Sequence, residues 1–293
     1  MLRNILLFLF IILLVLPVIA QLPTVLSIPG GTFSMGSRGG DADEKPVHAV
    51  TVSPFYLAKT ETTFAQFKAF AAASGYITDA ELGDGSFVWD SLGWHKQEQV
   101  NWRHDERGRW RSRTPGDFGN YPVLHVSWYD AAHYCNWLSK QSGLQQVYDF
   151  QENTLKTIFS ANGYRLPGEA EWEYAAAGGQ IQPFAGSGSL DALAWYSGNS
   201  RHHVHAVAGK KANEAGLYDL TGNLWEWCHD WYDPRFYAGS REATDPYGLP
   251  IGQERALRGG SWNNNRTHCR IANRSSRYPD FRDGSVGFRV ARR

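Results

Sequence analysis

The chain contains 293 residues, and its 29 basic and 29 acidic side chains give a formal net charge of zero. This balance argues against the basic surface of a nucleic-acid-binding protein, so nucleic acid is not an expected partner. Aromatic residues make up 14% of the chain, with 12 Trp, and 30 residues are Gly. That composition favours a loop-rich fold packed around buried rings, without a regular βαβ repeat.

The first 20 residues have the pattern of a secretory signal peptide. Arg3 precedes an apolar run at residues 5–16, and a short segment ending in Ala20 supplies the cleavage site. The alternative is a retained membrane anchor, but the apolar segment is shorter than the roughly 20 residues that a spanning helix needs. We therefore expect export to the periplasm, the cell surface or the medium, with no membrane span after cleavage.

Two short strands are predicted near the start of the mature chain. Residues 28–37 form a turn followed by a strand, and His48–Val52 alternate like another, which together indicate a β-hairpin. Two long polar connections follow, at residues 83–120 and 183–213. Connections of this length in a compact domain are usually functional, or are held by ions or partners.

Three helices are predicted from helically spaced apolar residues and from residues that start or stop a helix. They cover residues 63–73 with Gly75 after them, residues 130–140 with Ser127 before them, and residues 167–176 with Gly178 and Gly179 after them. The sequence contains no internal repeat, low-complexity tract or linker. We expect one domain at residues 21–293.

Six ordered blocks carry a family resemblance across nearly all of the mature chain. They are FSMGS at 33–37, YPVLHVSW at 121–128, RLPGEAEWEYAA at 165–176, GLYDLTGNLWEW at 216–227, RGGSW at 258–262 and GFR at 287–289. In order and spacing they resemble the sulfatase-modifying-factor, or formylglycine-generating enzyme, family. The resemblance implies an irregular, loop-rich α+β fold, a variant of the C-type-lectin-like fold, stabilised by calcium.

One calcium site is indicated by the residues as well as by the resemblance. Asp219, Gly222, Leu224 and Glu226 offer two carboxylates and intervening carbonyls, which are the hard oxygen ligands that Ca²⁺ takes. The alternative is that the two acidic residues only cap turns. Glu61 resembles a further calcium position of the family.

The catalytic residues of the family are only partly present. Active members carry two cysteines five residues apart, which bind a cuprous ion and use O₂ to oxidise a substrate cysteine to formylglycine. Cys269 matches the second of these, but Asn264 stands at the first, and an amide is a poor ligand for Cu(I). Ser261 and Trp225 match other active-site positions. Copper is therefore expected only if the oxidase activity persists.

The three cysteines leave one thiol unpaired in any arrangement with a disulfide. Because the resemblance makes the 225–227 and 259–261 blocks neighbours, we predict a disulfide between Cys228 and Cys269, with Cys135 as a buried thiol. His268 lies beside Cys269, but adjacent residues on a strand point to opposite faces. Residues His202, His203 and His205 are expected to be solvent-exposed side chains rather than metal ligands.

The last thirty residues also resemble the variable proteins of diversity-generating retroelements, a branch of the same family. Randomised template adenines turn Asn codons into NNY codons, which cannot encode Lys, Glu, Gln, Met or Trp. None of those five residue types occurs where such a segment would vary: Arg266, Thr267, His268, Ile271, Ser275, Ser276, Arg277, Tyr278, Phe281, Asp283, Gly284, Ser285 and Val286. A surface of this composition is typical of paratope-like sites, although an ordinary solvated face would also contain these residues.

Three functions follow for testing. The first is a non-catalytic protein that binds or displays, with a ligand surface at Arg266, Thr267, His268, Arg277, Tyr278, Phe281 and Asp283 and a protein or surface ligand as partner. The second is a formylglycine-generating oxidase, with Cys269, Ser261 and Trp225 as catalytic residues. The third is a structural surface protein that has no specific ligand.

Overall fold

The computed structural model describes residues 22–114, 116–151, 154–239 and 243–293. The predicted signal peptide lies outside these residues. No helix in the described ranges combines the length and apolar character needed to cross a bilayer.

The fold consists of short strands and few helices joined by long irregular segments. The strands are β1 (Val25–Ile28), β2 (Gly31–Met35), β3 (His48–Val52), β4 (Phe55–Ala58), β5 (Ser86–Asp90), β6 (Gly93–Gln97), β7 (Tyr148–Gln151), β8 (Thr154–Thr157), β9 (Tyr164–Arg165), β10 (Trp225–Trp231), β11 (Ala243–Thr244), β12 (Arg255–Arg258), β13 (Arg274–Arg277), β14 (Val286–Gly287) and β15 (Ala291–Arg292). The helices are α1 (Phe64–Ser74), α2 (Asp79–Leu82), α3 (Trp128–Gln141), α4 (Glu169–Ala177), α5 (Leu190–Leu193) and α6 (Phe236–Gly239). This architecture confirms the predicted α+β, loop-rich class.

Two four-stranded sheets organise the chain. One has the order β1-β4-β15-β9 and joins the first described strand to the last, and the other has the order β13-β12-β10-β14. A third sheet, β11-β3-β2, contains the predicted hairpin, in which β2 and β3 pair antiparallel from Gly31 opposite Val52 to Met35 opposite His48. β5–β6 and β7–β8 are separate hairpins.

The three predicted helices are confirmed, and their ends follow from specific residues. The Thr63 side chain accepts a hydrogen bond from the Gln66 N–H at the start of α1, and Ser127 does the same for Asp130 at the start of α3. Helix α1 ends at Gly75, which has φ of +67°. Helix α4 ends at Gly178, with φ of +56°. These left-handed positions favour Gly, as the sequence indicated.

Strand β10 lies at the centre of the molecule, with its first six residues buried. On one side, Trp227 packs with Trp128 of α3 and Phe288 in the main aromatic core. Cys228 joins a second core cluster, which includes Trp172 of α4. A strand covered on both faces must satisfy every polar side chain within the protein.

Glu226 of β10 meets that requirement through an ion pair with Arg289. The Arg289 Nε and Nη2 atoms donate to the two carboxylate oxygens of Glu226, each at 2.6 Å, and both side chains are fully buried. The Trp172 indole N–H donates to the same carboxylate at 2.8 Å. Arg289 also donates to the carbonyls of Ala58 and Tyr218, so one guanidinium connects four separate segments.

A second buried ion network holds α4 against β12 and β13. Arg258 is fully buried and pairs with Glu169 at 3.0 Å and with Glu173. Arg274 donates to both carboxylate oxygens of Glu169, at 2.7 and 2.8 Å. These contacts fix β12, which precedes the predicted ligand surface, and β13, which contains Arg277 of that surface.

Candidate functional site

A cavity of about 290 Å³ opens where the β5–β6 hairpin meets the C-terminal segment. Its walls combine aromatic, amide and charged side chains: Phe87, Trp94, Trp225, Leu257, Asn263, Asn264, Ser275, Arg277, Phe281, Asp283, Ser285 and Val286. Eight of these twelve residues belong to the segment 263–286, which contains the predicted variable positions.

The β5–β6 hairpin is attached to the C-terminal segment through Phe87. The Phe87 carbonyl accepts from the Gly284 N–H at 3.1 Å, and its N–H donates to the Arg282 carbonyl at 3.4 Å. The Phe87 ring stacks on Phe281 with centroids 5.8 Å apart. Part of the long 83–120 connection therefore forms a wall of the cavity.

Of the seven residues predicted to form the ligand surface, the structure places three in the cavity wall: Arg277, Phe281 and Asp283. The Arg277 guanidinium lies 5.2 Å from the Phe281 ring centroid. Tyr278 is exposed but does not line the cavity. The remaining three, Arg266, Thr267 and His268, are exposed on the loop before Cys269 and also lie outside the wall.

Asp283 is 7% exposed and is held from within its own loop. Its Oδ1 atom accepts from the Ser285 N–H at 2.7 Å and from the Ser285 hydroxyl at 3.0 Å, while Oδ2 lies 3.2 Å from that same hydroxyl. Burial raises the pKa of the Asp283 carboxyl to about 6, against the opposing effect of these hydrogen bonds and of Arg277. The residue is thus a buried acid in the wall of the cavity.

Asn264 has a structural role at the position where the resemblance puts a catalytic cysteine. Its Oδ1 atom accepts from the Ser261 N–H at 3.0 Å and from the Ser261 hydroxyl at 2.6 Å. Its backbone N–H donates to the Ser261 carbonyl at 3.0 Å. The amide therefore closes the turn that begins at Ser261, and the Ser261 hydroxyl is engaged within that turn.

Cys269 is fully buried and does not line the cavity. Burial raises the pKa of its thiol to about 12, so without a bound metal the side chain is a neutral thiol. The sulfur lies against Gly260, where an added Cβ would come within 2.9 Å of it. Trp225, by contrast, does line the cavity.

The predicted disulfide between Cys228 and Cys269 is wrong, because all three cysteines are free and buried in the structure. The two blocks are neighbours, as expected: Glu226 pairs with Arg258, and the Gly222 N–H donates to the Gly259 carbonyl. However, Cys228 faces the core cluster around Trp172, whereas Cys269 packs against Gly260. Proximity of the backbones did not determine the direction of the two side chains. Cys135 is a buried thiol in α3, as predicted.

The three histidines on the 183–213 connection have separate surroundings. The His203 Nδ1 atom lies 2.6 Å from a carboxylate oxygen of Glu106, and the His205 ring stacks on Trp195 with centroids 3.7 Å apart. His202 is exposed. Within the described ranges, the one group of three acidic, His or Cys side chains whose ligand atoms lie within 4.8 Å of each other is Asp41, Asp43 and Glu44.

The predicted calcium residues lie in one buried cluster of acidic groups. Burial raises the pKa of Glu61 well above its usual range, and Asp219 and Glu226 raise it further. Burial likewise raises the pKa of Asp219 to about 6. Glu61 accepts from the Leu224 N–H at 3.1 Å and from the Asn223 amide at 2.7 Å. Arg289 forms an ion pair with Glu226, and Glu61 and Asp219 also interact electrostatically with its guanidinium.

The sequence did not single out Phe87 and Trp94 as site residues. Trp94 packs edge-on against Trp89, with centroids 5.5 Å apart, and lies 6.1 Å from Trp262. The length of the 83–120 connection indicated that this region is functional, but it did not identify which of its residues belong to the site.

Comparison with known proteins agrees with this fold and these blocks. The family profile described as "Sulfatase-modifying factor enzyme 1-like domain" matches residues 16–293. The formylglycine-generating enzyme of Streptomyces coelicolor is 36% identical over 305 aligned positions, covering 90% of this chain and 87% of the enzyme. The inactive C-alpha-formylglycine-generating enzyme 2 of Bos taurus is 30% identical over 305 positions, covering 92% of this chain and 88% of that protein.

A solved structure supports the same assignment. Treponema denticola variable protein 1 superposes with a TM-score of 0.73 at 27% identity, covering 92% of this chain and 94% of that one. The chain therefore belongs to the sulfatase-modifying-factor family, and its fold is the formylglycine-generating-enzyme variant of the C-type-lectin-like fold.

Free thiols can be counted to test the cysteine assignment. We expect three thiols to react with a thiol reagent in the unfolded, unreduced protein. In the native protein the reaction should be far slower, because Cys135, Cys228 and Cys269 are fully buried and burial raises the pKa of each. A count of one thiol under unfolding, unreduced conditions would show that a disulfide forms after all.

Proposed function

We propose that this protein is a non-catalytic ligand-binding or display protein built on a formylglycine-generating-enzyme scaffold. The observation that carries the proposal is the hydrogen bonding of Asn264, whose side chain closes the Ser261 turn at the position expected for a copper-binding cysteine. Cys269, which matches the second catalytic cysteine of the family, is buried and does not line the cavity. A pair of thiolates for Cu(I) is thus lacking at these two positions.

The make-up of the cavity wall favours binding. Residues of the segment 263–286 supply most of the wall, while the scaffold behind it is fixed by the buried Arg258 and Arg289 ion pairs. A rigid support with a changeable surface is the arrangement that paratope-like sites use. The similarity to Treponema denticola variable protein 1 supports the same interpretation.

The oxidase is the second candidate, and specific residues favour it. Trp225 lies in the cavity wall, Ser261 begins the turn behind it, and Cys269 is retained. The 36% identity to the formylglycine-generating enzyme of Streptomyces coelicolor also supports the oxidase.

An oxidase assay separates the two candidates. We expect the purified protein, supplied with Cu(I), O₂ and a cysteine-containing sulfatase peptide, to consume no oxygen and to form no aldehyde. The reason is that one amide and one buried thiol replace the pair of thiolates. A known formylglycine-generating enzyme serves as the positive control. Copper-dependent conversion of the peptide cysteine would contradict the proposal.

Calcium is proposed as a structural ion of this scaffold. The fit rests on charge: Glu61, Asp219 and Glu226 carry three negative charges when ionised, against the single positive charge of Arg289. The Asp219 carboxylate and the Gly222 and Leu224 carbonyls would hold the ion. Both oxygens of Glu226 are bonded to Arg289, so Glu226 and Glu61 would contribute negative charge to the site. The positive charge of the ion would offset the negative charges of these carboxylates, whose ionisation is otherwise disfavoured by burial.

Removal of calcium should lower the thermal stability. Calcium added in large excess to chelator-treated protein should raise Tm by on the order of 5 °C or more, because an ion that binds only the folded state stabilises it. Asp219→Asn should abolish that response, whereas Asp280→Asn, at an exposed position, should preserve it. Equal Tm values with chelator and with calcium would contradict the calcium assignment.

We also propose that the protein is exported from the cytoplasm. Export is supported by the apolar run at residues 5–16 and the following Ala20. A binding surface directed at a protein or surface ligand would be accessible in any of the compartments outside the cytoplasm.

A further inference from the structure

We infer that the cavity binds a cationic group, an alkylammonium or a lysine-type side chain, with the Asp283 carboxylate as its counter-ion. This inference rests on the proposed binding function and names the class of ligand for the same site. Its elements are a buried acid with unused acceptor capacity, a wall of aromatic rings, and a volume suited to one side chain.

Asp283 has an acceptor that its own loop leaves partly unused. The Ser285 hydroxyl carries one hydrogen, so it donates to Oδ1 or to Oδ2 but not to both. The carboxylate also accepts the backbone N–H groups of Ser285 and Val286, so three donors occupy two oxygens that can accept about four hydrogen bonds, and part of the acceptor capacity is left unused. Within the described part of the chain, no Lys, Arg or His lies within ion-pair distance of this carboxylate.

Asp283 and Arg277 are the two charged residues among those lining the cavity. Arg277 is exposed, its guanidinium lies over the Phe281 ring, and one of its N–H groups donates to the Ser276 carbonyl at 2.8 Å. Arg277 therefore lies at the rim, whereas the buried charge in the wall is negative. A buried carboxylate is stabilised by a cation that accompanies it.

The aromatic rings of the cavity wall also favour a positively charged ligand. Phe87, Trp94, Trp225 and Phe281 line the cavity, and the faces of such rings attract cations, Trp most strongly. An anion would meet these faces and the Asp283 carboxylate with an unfavourable interaction.

The volume limits the size of the ligand. At about 290 Å³ the cavity is at the lower end of the range for small-molecule sites, which runs from roughly 300 to 1,000 Å³. It therefore suits a short alkylammonium chain, either as a free amine or as one lysine side chain of a protein partner.

Calorimetric titration of the purified protein tests this assignment with four probes. These are n-butylammonium, Nα-acetyl-lysine methylamide, the same lysine derivative acetylated on Nζ, and butyrate. We expect the two cationic probes to bind, and the neutral lysine derivative and butyrate to bind at least tenfold more weakly. Tighter binding of the lysine derivative than of butylammonium would identify a protein side chain as the ligand, and the reverse order a free amine.

Variants assign the binding to named residues. Asp283→Asn should weaken binding of the cations at least tenfold while keeping the amide oxygen that Ser285 requires. The matched control Asp280→Asn removes an exposed charge three residues away, outside the cavity wall, and should bind like the unmodified protein. Phe281→Leu should weaken binding severalfold, and Arg277→Gln should strengthen binding of the cations, because it removes a positive charge from the rim of the cavity.

The opposite pattern would overturn the inference. If butyrate binds best and Arg277→Gln abolishes its binding, the cavity takes anions. If none of the four probes binds, or if Asp283→Asn and Asp280→Asn behave alike, the cation assignment fails. The proposed non-catalytic function would still stand in each case, because it fails only if the oxidase assay shows conversion of cysteine.

Discussion

The ion pair between Glu226 and Arg289 is the contact on which the rest of this structure depends. Most strands in the molecule have five residues or fewer, so regular backbone pairing cannot hold the long connections in place. Arg289 instead binds a carboxylate on β10 and carbonyls on two other segments, all without exposure to solvent. Removing one partner of such a buried pair costs about 3–5 kcal/mol, a large part of the stability of a typical domain.

This constraint explains how one scaffold accommodates different chemistry at its surface. The ion pairs of Arg258 and Arg289 lie behind the cavity, and the cavity wall is formed by a segment that makes few of those contacts. The turn at Ser261 is kept by the hydrogen bonds of the Asn264 amide itself. The proposed absence of a copper-binding cysteine at this position is therefore compatible with the fold.

Features set by local chemistry could be predicted from the sequence. Ser127, Gly75 and Gly178 define helix ends through contacts within a few residues, and all three were identified from the sequence. The hairpin of β2 and β3 followed from alternation. Strand β10 was not predicted as a strand, because a strand buried on both faces shows no alternating pattern; only the block at residues 216–227, which includes its first residues, was noted.

Features set by contacts distant in sequence were not predictable in the same way. The Cys228–Cys269 disulfide failed because neighbouring backbones do not fix the direction of side chains. Phe87 and Trp94 line the cavity because β5 packs on residues 282–284. A contact between segments so distant in sequence cannot be predicted from the residues around Phe87 and Trp94. Asp283 was placed on the ligand surface from its position in the variable segment, but its burial depends on how that segment packs.

We propose that the C-terminal segment is a changeable binding surface on a constant scaffold. Sequencing the DNA around the gene tests this proposal most directly. We expect an adenine-rich near-copy of the segment that encodes residues 261–288, next to a reverse transcriptase gene. A neighbouring sulfatase gene, with no such near-copy, would contradict the proposal and favour the oxidase.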